Sequence, residues 1–250
     1  MNTLSAYRSA NIEKYYWLCD DLFAKWIVEM LKPYGTSIVD VGCGNGFMIP
    51  YYVREFENVG AVEPTKFLYK KVINRYRSGN IQIRNSAAES IDFGNNQFDI
   101  SIAKSSLHHF SSLSKGISEM ERISKNVIAI VEVIAPDEIC IPFLTDILLR
   151  KEKQRVEESI FTEKKLCKLI EKQIPKGRKH SVIFDQYIDV KNWLLYSDLN
   201  DEERQVIWNI IFNSNNRVKS SMQIHYRNKR LVMLRRMCLC IALLDDTALH

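Results

Sequence analysis

The strongest chemical signal in this chain is the run Asp40-Val41-Gly42-Cys43-Gly44-Asn45-Gly46. Glycines at alternate positions leave the backbone bare, so a ligand can lie directly against it and meet outward-facing N–H groups. A dinucleotide fingerprint is Gly-x-Gly-x-x-Gly, which sets a pyrophosphate on a helix N-terminus. Gly42, Gly44 and Gly46 instead run Gly-x-Gly-x-Gly, and no Lys-Ser or Lys-Thr pair follows to hold a triphosphate. Asp40 stands before the turn, where it would repel a pyrophosphate and suit a cationic, phosphate-free ligand. Glu63 closes the next apolar run, about 20 residues on, where an acid can accept both hydroxyls of a ribose. The plainer alternatives are a strand-to-helix turn and an exposed carboxylate.

A second group follows the run Phe98 to Ala103. Lys104-Ser105-Ser106-Leu107-His108-His109 places two imidazoles after an apolar segment. With an unperturbed pKa of ~6.5, either histidine could act as a general base. Either could equally hydrogen-bond backbone and shape the loop. The six cysteines contain no Cys-x-x-Cys pair and no histidine at ligand spacing, so no metal site is read. Cys238 and Cys240 lie two apart in an apolar run and would share one strand face as buried free thiols.

Positioning these groups requires a frame, and the hydrophobic pattern supplies one. Apolar residues at spacings of three and four from Asn11 to Leu31 predict an amphipathic helix, ended by Pro33 and Gly35. Short apolar runs at 37–41, 59–62, 81–84, 98–103 and 127–134 predict strands. Helical patterns at 47–56, 66–76 and 113–123 alternate with them. Such alternation, with runs rather than clean period-2 patterning, predicts a parallel sheet with helices on both faces. In such sheets ligands sit beyond the carboxyl ends of the strands, near the switch point. After Pro136 the pattern predicts helices at 138–156, 162–173, 190–196 and 202–213. Strands are expected at 180–187, 223–226 and 231–244, one of them antiparallel. The helices would cap the strand ends.

Val39-Asp40-Val41-Gly42-Cys43-Gly44-Asn45-Gly46 resembles the first motif of the class I S-adenosylmethionine (SAM)-dependent methyltransferases, and the flanking order resembles their ubiquinone and menaquinone methyltransferase group. The resemblance covers roughly residues 36–135. It implies an α/β, Rossmann-like, seven-stranded, mostly parallel sheet with helices on both faces and a helical cap inserted in the C-terminal half. The whole chain, 1–250, would then be one domain. Residues 1–35 would form a helical lid, 36–136 the SAM-binding core, 137–222 the cap over the acceptor, and 223–250 the terminal strands. The expected cofactor set is Asp40, Gly42, Cys43, Gly44, Asn45, Gly46, Glu63, Pro64, Ala87, Ala88, Glu89, Lys104, Ser105 and Arg8. Arg8 would pair with the methionine carboxylate. The family often places an Asp where Ala87 stands, so adenine would be held by backbone near Ala88 or by Ser86, with Ile91 and Phe93 as walls. His108 and His109 are the expected catalytic residues. Tyr7, Tyr16, Phe143, Phe184 and Tyr187 are the expected acceptor contacts.

The composition agrees with a globular enzyme: 46% hydrophobic, 26% charged, net charge +5. No window approaches the ~18 continuous apolar residues of a membrane span, and the N-terminus has no signal core. The cysteine usage suits a reducing cytoplasm. Arg217 to Arg236 holds seven Arg or Lys and no acid, a stretch that could attract an anion or serve as a solvated strand face. No recognised nucleic-acid module accompanies it, and no Asn-Pro-Pro or Asp-Pro-Pro follows the fourth strand. The sequence therefore points to a monomeric or homodimeric enzyme that methylates an oxygen, nitrogen or carbon of a small aromatic or hydrophobic acceptor and releases S-adenosylhomocysteine. Two alternatives stay open: an RNA or protein methyltransferase using the basic stretch, and a non-catalytic SAM-binding subunit.

Overall fold

The structure is a computed structural model describing residues 19–76, 81–152, 160–195 and 199–244. Its first half is a run of strands, β1 (Ser37–Val41), β2 (Asn58–Val62), β3 (Ile81–Arg84), β4 (Phe98–Lys104) and β5 (Ser124–Ile134). Helix α1 (Cys19–Leu31) precedes them, and α2 (Ile49–Glu55), α3 (Lys66–Arg75) and α4 (Leu113–Ile123) lie between them. The five strands pair in parallel in the order β3-β2-β1-β4-β5. Every residue of β1 is buried. A parallel strand covered on both faces has no solvent side, which is why it reads as an unbroken apolar run.

The period of two sorts side chains to two cores. On one face Ile128, Ile130, Cys238 and Cys240 pack with Ile117, Met120, Ile123, Leu166 and Ile170. On the other, Ile38, Ile100, Ile102, Val127 and Val131 pack with Phe23, Ile27, Leu31 and Tyr52. Helix α1 buries Phe23, Ala24, Ile27, Val28 and Leu31, the spacing of three and four that its sequence shows. The part of this helix expected before Cys19 lies outside the described residues.

The second half contains α5 (Cys140–Glu152), α6 (Glu163–Gln173), β6 (Lys179–Asp189), α7 (Val190–Leu195), α8 (Asp201–Phe212), α9 (Asn216–Ser221), β7 (His225–Arg227) and β8 (Arg230–Leu243). Strand β8 slots between β5 and β6, antiparallel to both. Among the described residues the sheet has eight strands, the number the hydrophobic pattern predicts and one more than the resemblance implies: seven form a continuous path, and the short β7 pairs with β8 alone. Helix α9 was not expected, because six residues are too few to display a helical period. It is set by Asn215, whose side chain accepts the Val218 N–H at 3.0 Å. Helices α5, α7, α8 and α9 bury Leu144, Ile147, Leu194, Ile207, Ile211 and Val218 in a third core shared with Ile188 and Met233 from the sheet. Among the described residues, no helix is long and apolar enough to cross a membrane.

Candidate active site

The strand order reverses between β1 and β4, which opens a crevice at their carboxyl ends. The glycine turn leaves β1 at that point. Gly42, Gly44 and Gly46 have φ of 79°, 57° and 77°, the left-handed region that a side chain opposes. A Cβ on Gly42 would sit 2.6 Å from the Ser106 Cβ, whereas one on Gly44 would meet nothing within 4 Å. Gly42 is therefore glycine for internal fit, and Gly44 faces open space. The expectation of outward-facing backbone donors is corrected here. The N–H groups of Gly42 and Cys43 donate to the Val62 carbonyl at 2.9 and 3.0 Å, Gly46 donates to Cys43 at 2.9 Å, and Gly44 donates to Glu63 Oε2 at 2.9 Å. The turn offers a ligand bare surface more than donors.

Asp40 lies on β1 opposite Ala61 and Ile102, 2% exposed, and accepts no hydrogen bond from the described residues. Burial pushes its carboxyl up to about 7, against the pull of the Lys104 ammonium and with a push from Glu63. The Tyr52 hydroxyl is buried without a hydrogen-bond partner among the described residues and feels the Asp40 charge. Burial also drives the Cys43 thiol far above its ordinary range, so it is an inert wall. Glu63 is 4% exposed at the end of β2; its Oε1 accepts the Thr65 N–H at 2.8 Å while Oε2 holds Gly44. Each oxygen keeps a second lone pair. Asn85 Nδ2 donates to the Glu63 and Pro64 carbonyls at 2.7 and 3.0 Å, fixing the loop beyond.

In that loop Ala88 is buried, and the Ile91 and Phe93 side chains turn into the core. Glu89 hydrogen-bonds the loop before α4. Burial pushes its carboxyl up, but hydrogen bonds at the loop win and hold it below its usual range; Oε1 accepts the Ser112 N–H at 2.9 Å. A latch pins the loop's far side: Glu119 Oε2 accepts the Ile91 N–H at 2.7 Å, and Arg122 donates to the Ile91 and Phe93 carbonyls, each at 2.8 Å.

At the end of β4, Ser105 turns the chain at φ 50° and donates its N–H to Val131 at 2.7 Å. Ser106 Oγ donates to the Val41 carbonyl at 2.8 Å, tying this loop to the glycine turn. Lys104 lies with Nζ 5.6 Å from the centre of the Phe47 ring. A short 3₁₀ turn, Leu107–His109, then presents both histidines. They are not equivalent. His108 Nδ1 sits 3.4 Å from Glu132 Oε2, and that carboxylate, 2% exposed on β5, also accepts the Leu107 N–H at 2.7 Å through Oε1. His109 stacks against His108 with ring centres 4.1 Å apart. Sequence reasoning missed Glu132 and Ser106. An acid in the middle of the apolar run Val127–Ile134 was the available signal, since a charge there is buried and must be partnered.

A cavity of about 170 Å³ opens beside this pair, between β5, β8, α5 and α7. Glu132, His108, His109 and Ser105 form its polar side; Leu144, Ile147, Ile188, Trp193 and Met233 form much of its apolar wall. The acceptor contacts expected from sequence are corrected. Phe143, Phe184 and Tyr187 do not line it, but Leu144 and Ile188, one residue on, do. Phe184 is pressed between Phe23 and Trp26, with ring centres 4.9 and 5.3 Å away, under α1. Phe143 packs against the cap core, and the Tyr187 hydroxyl bonds Gln223. On a strand one residue flips a side chain to the other face, so aromatic character alone cannot say which neighbour faces a pocket. Tyr7, Arg8 and Tyr16 lie outside the described residues. Among the described residues, no cluster of His, Cys, Asp and Glu could hold a metal ion.

A buried carboxylate that accepts no hydrogen bond from the described residues, an open face above Gly44 and an acid at the end of β2 thus lie together at the carboxyl ends of the strands. Residues 39–127 match the family described as "Methyltransferase domain". The uncharacterized methyltransferase YcgJ of Bacillus subtilis is 26% identical over 132 residues, 50% of this chain and 52% of that protein, so the chain spans about half the length of this curated relative. The crystal structure of YcgJ superposes with a TM-score of 0.77 over 90% of this chain and 99% of that one, at 14% identity. Geranyl diphosphate C-methyltransferase of Streptomyces coelicolor, solved with S-adenosylhomocysteine, Mg²⁺ and geranyl diphosphate, gives 0.60 over 89% and 77%, also at 14% identity. Residues 39–127 thus match a methyltransferase domain, and the chain shares the fold of YcgJ and of geranyl diphosphate C-methyltransferase.

Proposed function

We propose that the protein transfers the methyl group of SAM to a small-molecule acceptor seated in the cavity, and that His108 takes the acceptor's proton. The observation that carries this reading is the His108–Glu132 pair on the cavity wall, on the loop that Ser106 ties to the glycine turn. When bound, SAM supplies a methyl group already activated by a positively charged sulfur, so the protein's task is mainly alignment at ~3–3.5 Å. Asp40 sets a negative charge under the cationic end. Glu63 accepts from the ribose hydroxyls with its remaining lone pairs. Gly44 and Asn45 lie against the cofactor, and Ala87, Ala88 and Pro64 border its adenosine end. Glu132 holds the proton on His108 Nδ1, which leaves Nε2 as the basic nitrogen. His108 Nε2 removes a proton from an oxygen or nitrogen acceptor as the bond to carbon forms, and Glu132 stabilises the imidazolium. His109 stacks on this ring and restricts its rotation.

Calorimetric titration with SAM and with S-adenosylhomocysteine tests the cofactor half of this reading. Micromolar binding of both is expected, and absence of binding for both refutes it. S-adenosylhomocysteine formation that depends on added RNA or protein, rather than on a small molecule, would overturn the acceptor half.

A further inference from the structure

Cys167, Cys238 and Cys240 form a row of sulfurs that methyl transfer does not use. Cys238 and Cys240 stand two apart on β8 and so point to one face of the sheet, where Cys240 lies opposite Ile130 of β5 and Ser181 of β6. Cys167 comes down on them from α6, the helix that packs Leu166 and Ile170 on this face. The Cys240 sulfur is the middle of the row, 3.5 Å from Cys238 Sγ and 3.9 Å from Cys167 Sγ. All three thiols are free, and they differ in access. Cys238 is fully buried and Cys240 is 4% exposed, whereas Cys167 is half-buried. A buried thiol ordinarily packs as a small apolar group. Here three meet sulfur to sulfur, and one of them is partly open to solvent.

We propose that Cys167 and Cys240 are an oxidation site, which a hydroperoxide converts into a disulfide between α6 and β8. The thiolate of Cys167 attacks the outer oxygen of the hydroperoxide. The O–O bond breaks, an alcohol leaves, and Cys167 carries a sulfenic acid. Cys240 Sγ then attacks that sulfur. The S–S bond forms as the S–O bond breaks, and the departing hydroxide leaves as water with the Cys240 proton. Two thiols are oxidised, and one hydroperoxide is reduced to an alcohol and water. The order follows from access. The Cys238 contact and burial hold the Cys240 thiol far above its usual range, so the reaction opens at the half-buried Cys167. A disulfide needs its sulfurs at ~2.05 Å, and the roughly 2 Å of movement required is supplied by turning the Cys167 side chain about its Cα–Cβ bond. Cys238 and Cys240 are the poorer pair, because two steps along a strand set Cα atoms ~6.6–6.8 Å apart, at the far limit for a disulfide. Cys167 and Cys240 are 73 positions apart, and the chain between them carries β6, α7, α8 and α9. A cross-link over so long a loop removes freedom mainly from the unfolded chain, so the oxidised protein holds its third core more firmly.

The test treats the full chain, reduced and freed of reductant, with a few equivalents of cumene hydroperoxide. Remaining thiols are blocked with iodoacetamide, and unreduced peptides are mapped by mass spectrometry. A peptide linked through Cys167 and Cys240 is expected as the main product, with loss of two of the six thiols. The melting temperature should rise by on the order of 5–10 °C, and dithiothreitol should reverse both changes. Cys167→Ala and Cys240→Ala should each abolish the link and the temperature shift, while Cys238→Ala should keep both. Cooperative melting in dithiothreitol shows which variants fold, and Cys167→Ala, at a half-buried position, carries the test if Cys240→Ala does not. Six alkylated thiols after treatment, Cys167 trapped as a sulfinic acid or linked to another chain, a link between Cys238 and Cys240, or loss of the link in folded Cys238→Ala overturns the proposal.

Discussion

Asp40→Asn provides the sharpest test of the cofactor site, because it should strengthen the empty protein while weakening its hold on SAM. The Asp40 carboxyl is pushed up from 3.8 to about 7 by burial. In the unfolded chain it loses its proton near pH 4; in the folded protein it keeps it to about pH 7. Between those values the folded state binds more protons than the unfolded state, so stability of the ligand-free protein falls as pH rises through that window. At ~1.36 kcal/mol per pH unit the loss is about 4 kcal/mol above pH 7. Asparagine has nearly the same shape and no charge to desolvate. The ligand-free Asp40→Asn protein should therefore match the parent near pH 4 and exceed it increasingly up to pH 8. For a chain of this length a difference of about 4 kcal/mol moves the melting temperature by on the order of 10 °C. SAM should narrow the gap. Its cation offsets the buried negative charge, so the rise in melting temperature on adding SAM should grow with pH in the parent and stay flat in the variant. Affinity of the variant at pH 8 should fall by about tenfold to a hundredfold. Differential scanning fluorimetry at pH 4.5 to 8.5, with and without SAM, reads all of this. A variant that is less stable than the parent at every pH, or that gains as much from SAM as the parent does, would refute the account.

Two glycines of the turn should separate fit from binding. Gly42→Ala places a Cβ 2.6 Å from Ser106 at a φ of 79°, so stability should fall by at least ~1–2 kcal/mol from the backbone conformation alone, with partial rescue by Ser106→Gly. Gly44→Ala should cost little more than its own backbone strain, because its Cβ meets nothing, yet should weaken SAM binding tenfold or more in the same calorimetry. His108→Ala should lower kcat by ~10²-fold or more with the SAM affinity intact. Glu132→Gln should lower kcat by a smaller factor and shift the acid limb of the pH–rate profile downward, because the neutral amide no longer favours the imidazolium. Phe184→Ala should cost up to about 3 kcal/mol in chemical denaturation, as expected for a partly buried aromatic, while the acceptor KM stays unchanged; a large change in that KM would return Phe184 to the pocket.

The parts legible in the chain were those whose meaning is local. Asp40, the three glycines and Glu63 sit where a buried strand must end and turn, and their φ demands and spacing are properties of contiguous residues. The alternation of buried runs and helical patterns through Ile134 likewise announced a parallel, two-faced sheet, since every strand in such a sheet lacks a polar side. Helix α9 escaped because six residues show no period, whereas β7 was expected within two residues of where it lies.

What only the tertiary structure decided was which side chains meet. Glu132 and His108 are 24 positions apart and touch because β5 lies beside β4 in a register that sets Lys104 opposite Val131. The cavity is assembled from the turn after β4 and from β5, α5, β6, α7 and β8, and a single residue separates its lining residues Leu144 and Ile188 from the expected Phe143 and Tyr187. Phe184 had the right chemistry for an acceptor wall and was claimed by Phe23 and Trp26 instead. Sequence by itself pointed to a cationic, ribose-bearing ligand, because the glycine turn and its flanking acids are read from short runs of contiguous residues at strand ends. The acceptor pocket waited on the fold, because a cavity has no sequence of its own: it is the space left where distant elements pack, and one residue of register decides who faces it.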